Sequence, residues 1–256
     1  MTQSWMGNHY DLVVELIKKE IKVRYKNSYF GYLWSLANPL LMSLVFYFIF
    51  KIVTKVEMEN YALFLISALF VWQWMLNTIT TGVVIFIDNA SLIKKVNFPR
   101  NYLVFALMAS EGFNFLASIP VLLGFMYFAG VPLPLLSIVL FPFLLIITGV
   151  FIYSIALIVA TINMFFRDMQ RLISILLMLL FYGTPILYPI SMVPVQYHIL
   201  IYSNPFTPFI LSWKALFIGG DISSFEIFQI FFYTIILYIF ATWLYEKLKY
   251  RFAELV

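Results

Sequence analysis

Cysteine is absent from this chain, histidine occurs twice, and charge of either sign is sparse. Without cysteine there is no disulfide, no thiolate metal site and no cysteine nucleophile. Charged residues are 11% of the 256, against about 25% in soluble domains, so a soluble globule is excluded. No Gly-x-x-x-x-Gly-Lys-Ser/Thr motif occurs, and the chain cannot cradle nucleotide phosphates in that way. Any work driven by ATP falls to another polypeptide. There is no Gly-x-Ser-x-Gly elbow and no His-Glu-x-x-His motif. His9 precedes the surface helix and His198 lies in an external segment, so a membrane-embedded hydrolase lacks a nucleophile and base in reach, and no metal site is expected. The net charge of +4 is not a nucleic-acid footprint, because the basic residues sit at the ends of apolar runs.

What is abundant is apolar length. Five stretches carry no charge: 27–50, 60–87, 112–166, 172–213 and 227–245. A bilayer core takes roughly 20 apolar residues per helix. The fold class is therefore all-α, a polytopic membrane protein, read as one domain over 1–256. Six spans are expected, at about 30–50, 61–87, 102–128, 136–164, 172–189 and 226–246. The turn Ala129-Gly130-Val131-Pro132-Leu133-Pro134 separates the third from the fourth. The run 172–213 would make ~63 Å of continuous helix, twice the bilayer core. Pro185, Pro189, Pro194, Pro205 and Pro208 break it, so 190–217 is read as short non-spanning helices on the outer side. Six spans put both ends of the chain on one side. That side holds thirteen of the sixteen Lys and Arg residues: Lys18, Lys19, Lys22, Arg24, Lys26, Lys94, Lys95, Arg100, Arg167, Arg171, Lys247, Lys249 and Arg251. Lys51, Lys55 and Lys214 remain for the other. By the positive-inside rule both termini are cytoplasmic. A seventh span over 195–217 would put the C-terminal cluster on the wrong face. The charged first 26 residues hold no short apolar core with a cleavage site, so no cleaved signal peptide is expected.

Residues 10–26 read as an amphipathic interface helix. Asp11, Glu15, Lys18, Lys19, Lys22 and Lys26 share one arc; Tyr10, Val13, Val14, Ile17, Ile21 and Tyr25 lie opposite. Glu15–Lys19 and Glu20–Arg24 are spaced as i,i+4 pairs. The helix either anchors to the headgroup region or also docks a partner. Within the spans, Glu111 shares a face with Leu107, Asn114 and Ser118. A carboxylate at that depth costs about 2.5–3.5 kcal/mol, so a hydrogen bond to another span is expected. A proton-coupled carrier would need more such groups, and no inverted repeat marks a secondary transporter or channel. Gln73, Asn77, Thr80 and Thr81 share an arc of the second span, beside Trp72 and Trp74. Ser28, Tyr32, Ser35, Pro39, Met42 and Phe46 share a face of the first span. Ser174, Met178, Phe181, Pro185 and Tyr188 do so in the fifth. In the loop 88–100, Asp88 or Asn89 can cap a short helix and Pro99 can end it.

The segment Val23-Arg24-Tyr25-Lys26-Asn27-Ser28-Tyr29-Phe30-Gly31-Tyr32-Leu33-Trp34-Ser35-Leu36-Ala37-Asn38-Pro39-Leu40 resembles the entry to the first span of ABC-2 type permeases that export polysaccharides. Asn89-Ala90-Ser91-Leu92-Ile93-Lys94-Lys95-Val96-Asn97-Phe98-Pro99 resembles their second-to-third-span loop. Asn163-Met164-Phe165-Phe166-Arg167-Asp168, then Thr184-Pro185-Ile186-Leu187-Tyr188-Pro189 and Asn204-Pro205-Phe206-Thr207-Pro208, resemble their later part. Within the group the chain is most similar to O-antigen exporters, with teichoic-acid and capsule permeases as close relatives. The resemblance implies a non-catalytic homodimeric subunit in the bacterial inner membrane, bound to two ATPase subunits. It implies a polyprenyl-pyrophosphate-linked polysaccharide as cargo and external re-entrant helices between spans five and six. No cofactor is expected on this chain; ATP and Mg belong to the partner.

On that reading Asn89, Ser91, Leu92, Ile93, Lys94, Lys95, Val96, Phe98, Arg167 and Asp168 are candidates for the ATPase contact. The loop charges also suit plain topology. Tyr32, Ser35, Pro39, Met42, Trp74, Asn77, Ser174, Met178, Phe181 and Pro185 are candidates for lining a sugar path, since a polymer needs hydrogen bonds and flat apolar surfaces. Helix packing is the competing explanation. Arg24, Lys26 and Arg100 are candidates for the carrier pyrophosphate, or are topology charges. A reporter protein that functions only in the cytoplasm, fused after Val256, is expected to be active; activity of a periplasm-dependent reporter there would reverse the orientation.

Overall fold

The computed structural model of the chain describes residues 3–25, 33–53, 58–132 and 135–252. Among them every regular element is helical. Helix α1 is Gln3–Tyr25, seven residues longer at its start than the amphipathic pattern predicts. Helix α2, Leu33–Tyr47, widens into a π-helical stretch at Phe48–Val53. Four helices are long and apolar enough to cross a membrane: α3 (Tyr61–Asp88), α5 (Asn101–Ala129), α6 (Leu135–Asn163) and α10 (Ser224–Leu248). Between α3 and α5 sits the single turn and a half of α4, Ala90–Lys95. Helix α7, Met169–Gly183, has 15 residues. Two short helices follow, α8 (His198–Ser203) and α9 (Thr207–Ile218).

The elements start and stop for local reasons. Helix α5 ends on Gly130 at φ 68. The Gly130 N–H bonds the Tyr127 carbonyl at 3.2 Å and the Val131 N–H bonds the Met126 carbonyl at 3.0 Å, the paired closure a left-handed glycine permits. Helix α7 stops at Gly183, short of the 189 expected for the fifth span. Thr184 is extended (φ −101, ψ 141), as the residue before a proline prefers, and Pro185 prevents a return to helix. Helix α10 begins with a capping box: the Ser223 hydroxyl accepts from the Glu226 N–H at 3.1 Å and the Glu226 carboxylate accepts from the Ser223 N–H at 3.2 Å.

Helix α3 is the hub. It packs against α2, α5, α6, α7 and α9, and Leu65, Ala68, Val71, Met75 and Ile79 are fully enclosed. The close approaches run through small residues. A methyl group added at Gly82 would lie 3.1 Å from Ala156 Cβ on α6. Trp74 fills the space over Gly112 of α5 and Gly149 of α6, stacks on Phe115 (ring centroids 5.3 Å apart, 9° between planes) and donates its indole N–H to the Met108 carbonyl at 3.2 Å. This is interhelical packing by small residues and satisfied polar groups, as a membrane demands.

At one end of the bundle α1 lies across α5 through Leu16, which joins Phe86, Ile93, Leu103 and Tyr245 in one apolar cluster. The contact falls beside the expected apolar arc rather than on it, and Tyr10 of that arc is exposed. Of the two expected charge pairs, Glu15–Lys19 differs, and Glu20–Arg24 involves a side chain outside the described residues. Glu15 pairs with Lys18 at 2.8 Å. Lys19 pairs with Glu20 at 3.3 Å and also reaches Asn89 Oδ1. The tail returns to the same end: Arg100 Nη1 donates to the Lys249 carbonyl at 2.7 Å, and the Asn101 N–H donates to the Tyr245 hydroxyl at 3.2 Å.

At the other end the proline-broken stretch folds into the bundle. The Tyr61 hydroxyl donates to the Leu187 carbonyl at 2.7 Å. The chain then descends to the turn between α8 and α9, where Phe206 meets Trp72 of α3 and Phe151 of α6 with centroids 5.5 and 5.4 Å apart. Asn204 holds this turn, accepting from the Phe206 N–H at 3.0 Å and donating to Thr184 Oγ1 at 2.8 Å. Trp213 on α9 lies edge-on to Phe115 and donates to Thr148 Oγ1 at 3.0 Å. Gly82→Leu is expected to overpack the α3–α6 crossing and cost about 1–3 kcal/mol, read as a lower unfolding temperature in detergent. Gly124→Leu, where an added Cβ meets nothing within 4 Å, should leave it near the parent value.

Candidate functional site

Helix α7 presents Ser174, Met178 and Phe181 on one face, spaced by four and three residues as helical geometry requires. Helix α2 presents Pro39 and Met42. Between them α3 supplies a strip one turn apart, Leu69, Trp72, Gln73 and Leu76. Together these residues line a groove of about 270 Å³, closed at its sides by Phe46, Leu177 and Tyr182. Trp72 and Phe46 both lean on Phe181, at 5.7 and 5.9 Å between centroids. The groove thus offers aromatic faces and two polar groups, the Gln73 amide and the Ser174 hydroxyl. The hydroxyl already donates to its own helix, to the Gln170 carbonyl at 2.8 Å, and retains acceptor capacity. On either side of the groove Leu41 and Leu44 of α2, and Ile175 and Leu179 of α7, are exposed.

Five of the ten candidate lining residues are brought together here: Pro39, Met42, Ser174, Met178 and Phe181. Trp74 and Asn77 are placed elsewhere: Trp74 lies on the opposite side of α3 against α5 and α6, and Asn77, one turn from Gln73, turns into the α3–α5 interface. Pro185 is buried beneath α9, its carbonyl taken by the Lys214 ammonium. Tyr32 and Lys26 lie outside the described residues, as do the side chains of Ser35 and Arg24. Trp72, Gln73 and Tyr182 enter the groove without having been singled out for it, whereas Phe46 belongs to the same expected face as Pro39 and Met42. Only the arc through Gln73 hinted at a polar side of α3.

Gln73 stands at the boundary of a second, narrow seam. Its amide donates to Asn77 Oδ1 at 2.6 Å; Asn77 Nδ2 donates to Glu111 Oε2 at 3.3 Å; Asn114 Nδ2 donates to the same oxygen at 3.2 Å. The expected bond from Glu111 to another span is present, and the chain of amides reaches from the groove into the α3–α5 interface. Glu111 is 1% exposed, so its energy depends on these partners.

At the basic end the loop after α3 presents Ser91, Lys94, Lys95, Val96 and Asn97 to the outside, while Ile93 is buried against Leu16 and Leu103, and Leu92 and Phe98 pack partly on the same cluster. Asn89 occupies the cap position of α4 without capping it. Its amide turns back to the Ile85 carbonyl at 2.9 Å and its oxygen takes Lys19, so Asn89 ties α1 to α3 and is itself buried. Pro99 does not end α4, which stops at Lys95; it opens α5, accepting from the Tyr102 N–H at 3.0 Å. Arg167 and Asp168 are exposed beside α7. The Arg100 guanidinium is committed to the end of α10 and lies 5.8 Å from the Phe252 ring.

Lys214, expected on the outer side, is enclosed. Its ammonium donates to the Pro185 and Ile186 carbonyls, the latter at 3.0 Å, and sits 3.3 Å from the centroid of Phe64. Two carbonyl acceptors and a ring face provide the compensation that a buried cation needs.

Residues 11–217 match the family model described as ABC-2 type transporter. The chain is 43% identical, over 98% of its length and 97% of the relative's, to the O-antigen export system permease protein RfbA of Klebsiella pneumoniae. It is 32% identical, over 80% of each chain, to the O-antigen export system permease protein RfbA of Myxococcus xanthus.

Glu111→Gln keeps an acceptor oxygen for Asn77 and Asn114 and is expected to retain most activity and stability. Glu111→Leu removes that acceptor from both amides and should cost about 1–3 kcal/mol, measured as loss of folded protein in a thermal melt. Complete inactivation of a correctly assembled Glu111→Gln protein would instead assign the carboxyl a proton-handling role.

Proposed function

Because this chain belongs to the ABC-2 type transporter family, we propose that it is the permease subunit of an ATP-driven exporter. Its cargo is a polyprenyl-pyrophosphate-linked polysaccharide of the O-antigen kind, moved across the bacterial inner membrane. The observation that carries the reading is the groove between α2, α3 and α7: aromatic faces suit the C–H surfaces of sugar rings, and the Gln73 and Ser174 groups supply hydrogen bonds. Both relatives named above are O-antigen export permeases.

Six spans per subunit complete the picture, with α2 and α7 joining the four long helices, both termini cytoplasmic, and α8–α9 as re-entrant helices on the outer side. Apolar faces of α2 and α7 flanking an open groove fit a homodimer in which two grooves close into one conduit. Two ATPase subunits supply ATP and Mg; Ser91, Lys94, Lys95 and Val96 on the α4 loop, with Arg167 and Asp168, are the surface they would grip. The carrier pyrophosphate falls to Arg24 and Lys26, because Arg100 is occupied with α10. Capsule or teichoic-acid cargo is the second reading, favoured by the same groove, which reads sugar faces and not a particular repeat.

Cysteines placed at Met42, Met178 and Phe181 in the assembled transporter are expected to lose most of their labelling when a polymer is trapped, with cysteine at Val195, exposed and not part of the groove, as an unshielded control. Equal labelling with and without polymer would remove the groove from the path. Transport should also require a co-isolated ATPase subunit and hydrolysable ATP; export by this chain alone on an ion gradient would refute the reading.

A further inference from the structure

A second cavity, of about 320 Å³, lies on the side of the bundle where α6, α9 and α10 meet. Its wall is apolar: Leu136, Leu140 and Leu144 of α6, Leu216 of α9, Ile227 and Ile230 of α10. The one hydroxyl in the wall, Ser137, is spent on the Leu216 carbonyl at 2.9 Å. From Leu136 to Leu144 the cavity follows α6 for about 12 Å. Its mouth is at the outer end of the helices, bordered by Leu136 and Ile227, which are 66% and 42% exposed, so it opens onto the surface that faces lipid.

Among the described residues the charges at the mouth have one sign. Asp221 lines the opening and is exposed, and Glu226 stands just beyond it in the capping box of α10. The nearest cation on α9, Lys214, is turned away toward Phe64 and the Pro185 and Ile186 carbonyls. A transmembrane helix is about 10–12 Å across, too wide for this space; a single hydrocarbon chain is not.

We infer that the α6–α9–α10 cavity binds one acyl chain of a membrane phospholipid whose headgroup carries an ammonium, held over Asp221. The apolar wall supplies affinity by burial, and the carboxylate selects an ethanolamine headgroup over an anionic one. The bound chain braces the outer half of α9 against α6 and α10, where protein atoms alone leave a gap.

The test is native mass spectrometry of the full-length protein released from detergent with equimolar phosphatidylethanolamine and phosphatidylglycerol. One phosphatidylethanolamine per chain is expected, favoured about fivefold over phosphatidylglycerol, the scale of one exposed ion pair. Asp221→Asn should bring that ratio near one without abolishing the adduct. Leu140→Trp should fill the cavity and remove the adduct. Ile222→Phe, at the rim, should weaken it and serves if Leu140→Trp does not fold. Equal binding of the two lipids by the parent, an adduct indifferent to filling, or loss of dimer in place of lipid would each overturn the assignment.

Discussion

Hydrocarbon offers no hydrogen bonds, so each polar group inside this bundle must find its partner in the protein. That constraint sets the arrangement of the interior. Glu111 can stand in the α3–α5 interface because Asn77 and Asn114 converge on one of its oxygens. Lys214 can be enclosed because the chain beyond α7 leaves helical form and turns the Pro185 and Ile186 carbonyls toward it. In that second case the broken backbone and the buried cation answer each other: the carbonyls freed from helical pairing are the ones the ammonium uses. Removing either would leave the other exposed to a medium that cannot solvate it.

The same constraint explains why α3 does so much. A helix enclosed on all sides must divide its surface among neighbours, and consecutive residues go to different ones. Trp72 faces the groove with α2 and α7, Gln73 stands between groove and seam, and Trp74 lies on Gly112 and Gly149 toward α5 and α6. The Gln73–Asn77–Glu111 chain therefore joins the groove to the helix interface by hydrogen bonds. Above it, Trp74, Phe115 and Trp213 form an aromatic column that joins α3 and α5 to α9.

The long apolar runs, the turn after Ala129 and the breaking of the 172–213 stretch were legible because each rests on a local rule of length, glycine or proline. The α7 face through Ser174, Met178 and Phe181 was legible because these residues recur at the helical period within one element, which local sequence reports directly. Trp74 meets α5 and α6 and not the groove, which local sequence does not reveal: α3 has neighbours on several sides, and its pattern does not say which of them a residue meets. Asn89 has the sequence position of a cap, yet its side chain is claimed by Lys19 and Ile85 from elements that local pattern does not bring together. Lys214 read as an outer charge because nothing short of the tertiary fold reveals a pair of carbonyls waiting for it. Leu16 escaped notice for a similar reason, since α1 docks along the margin of its apolar arc.

The exchange between α5 and α10 has a consequence for the order in which the protein matures. Asn101, at the start of α5, relies on a hydroxyl 144 positions downstream, and Arg100 closes the far end of α10, a helix made well after α5. Helices α3, α5 and α6 can pack as soon as they enter the bilayer, but this corner stays open until α10 has followed them. Helix α10 is thus a clasp, and a product truncated before it would carry an unsealed edge for quality-control proteases to find.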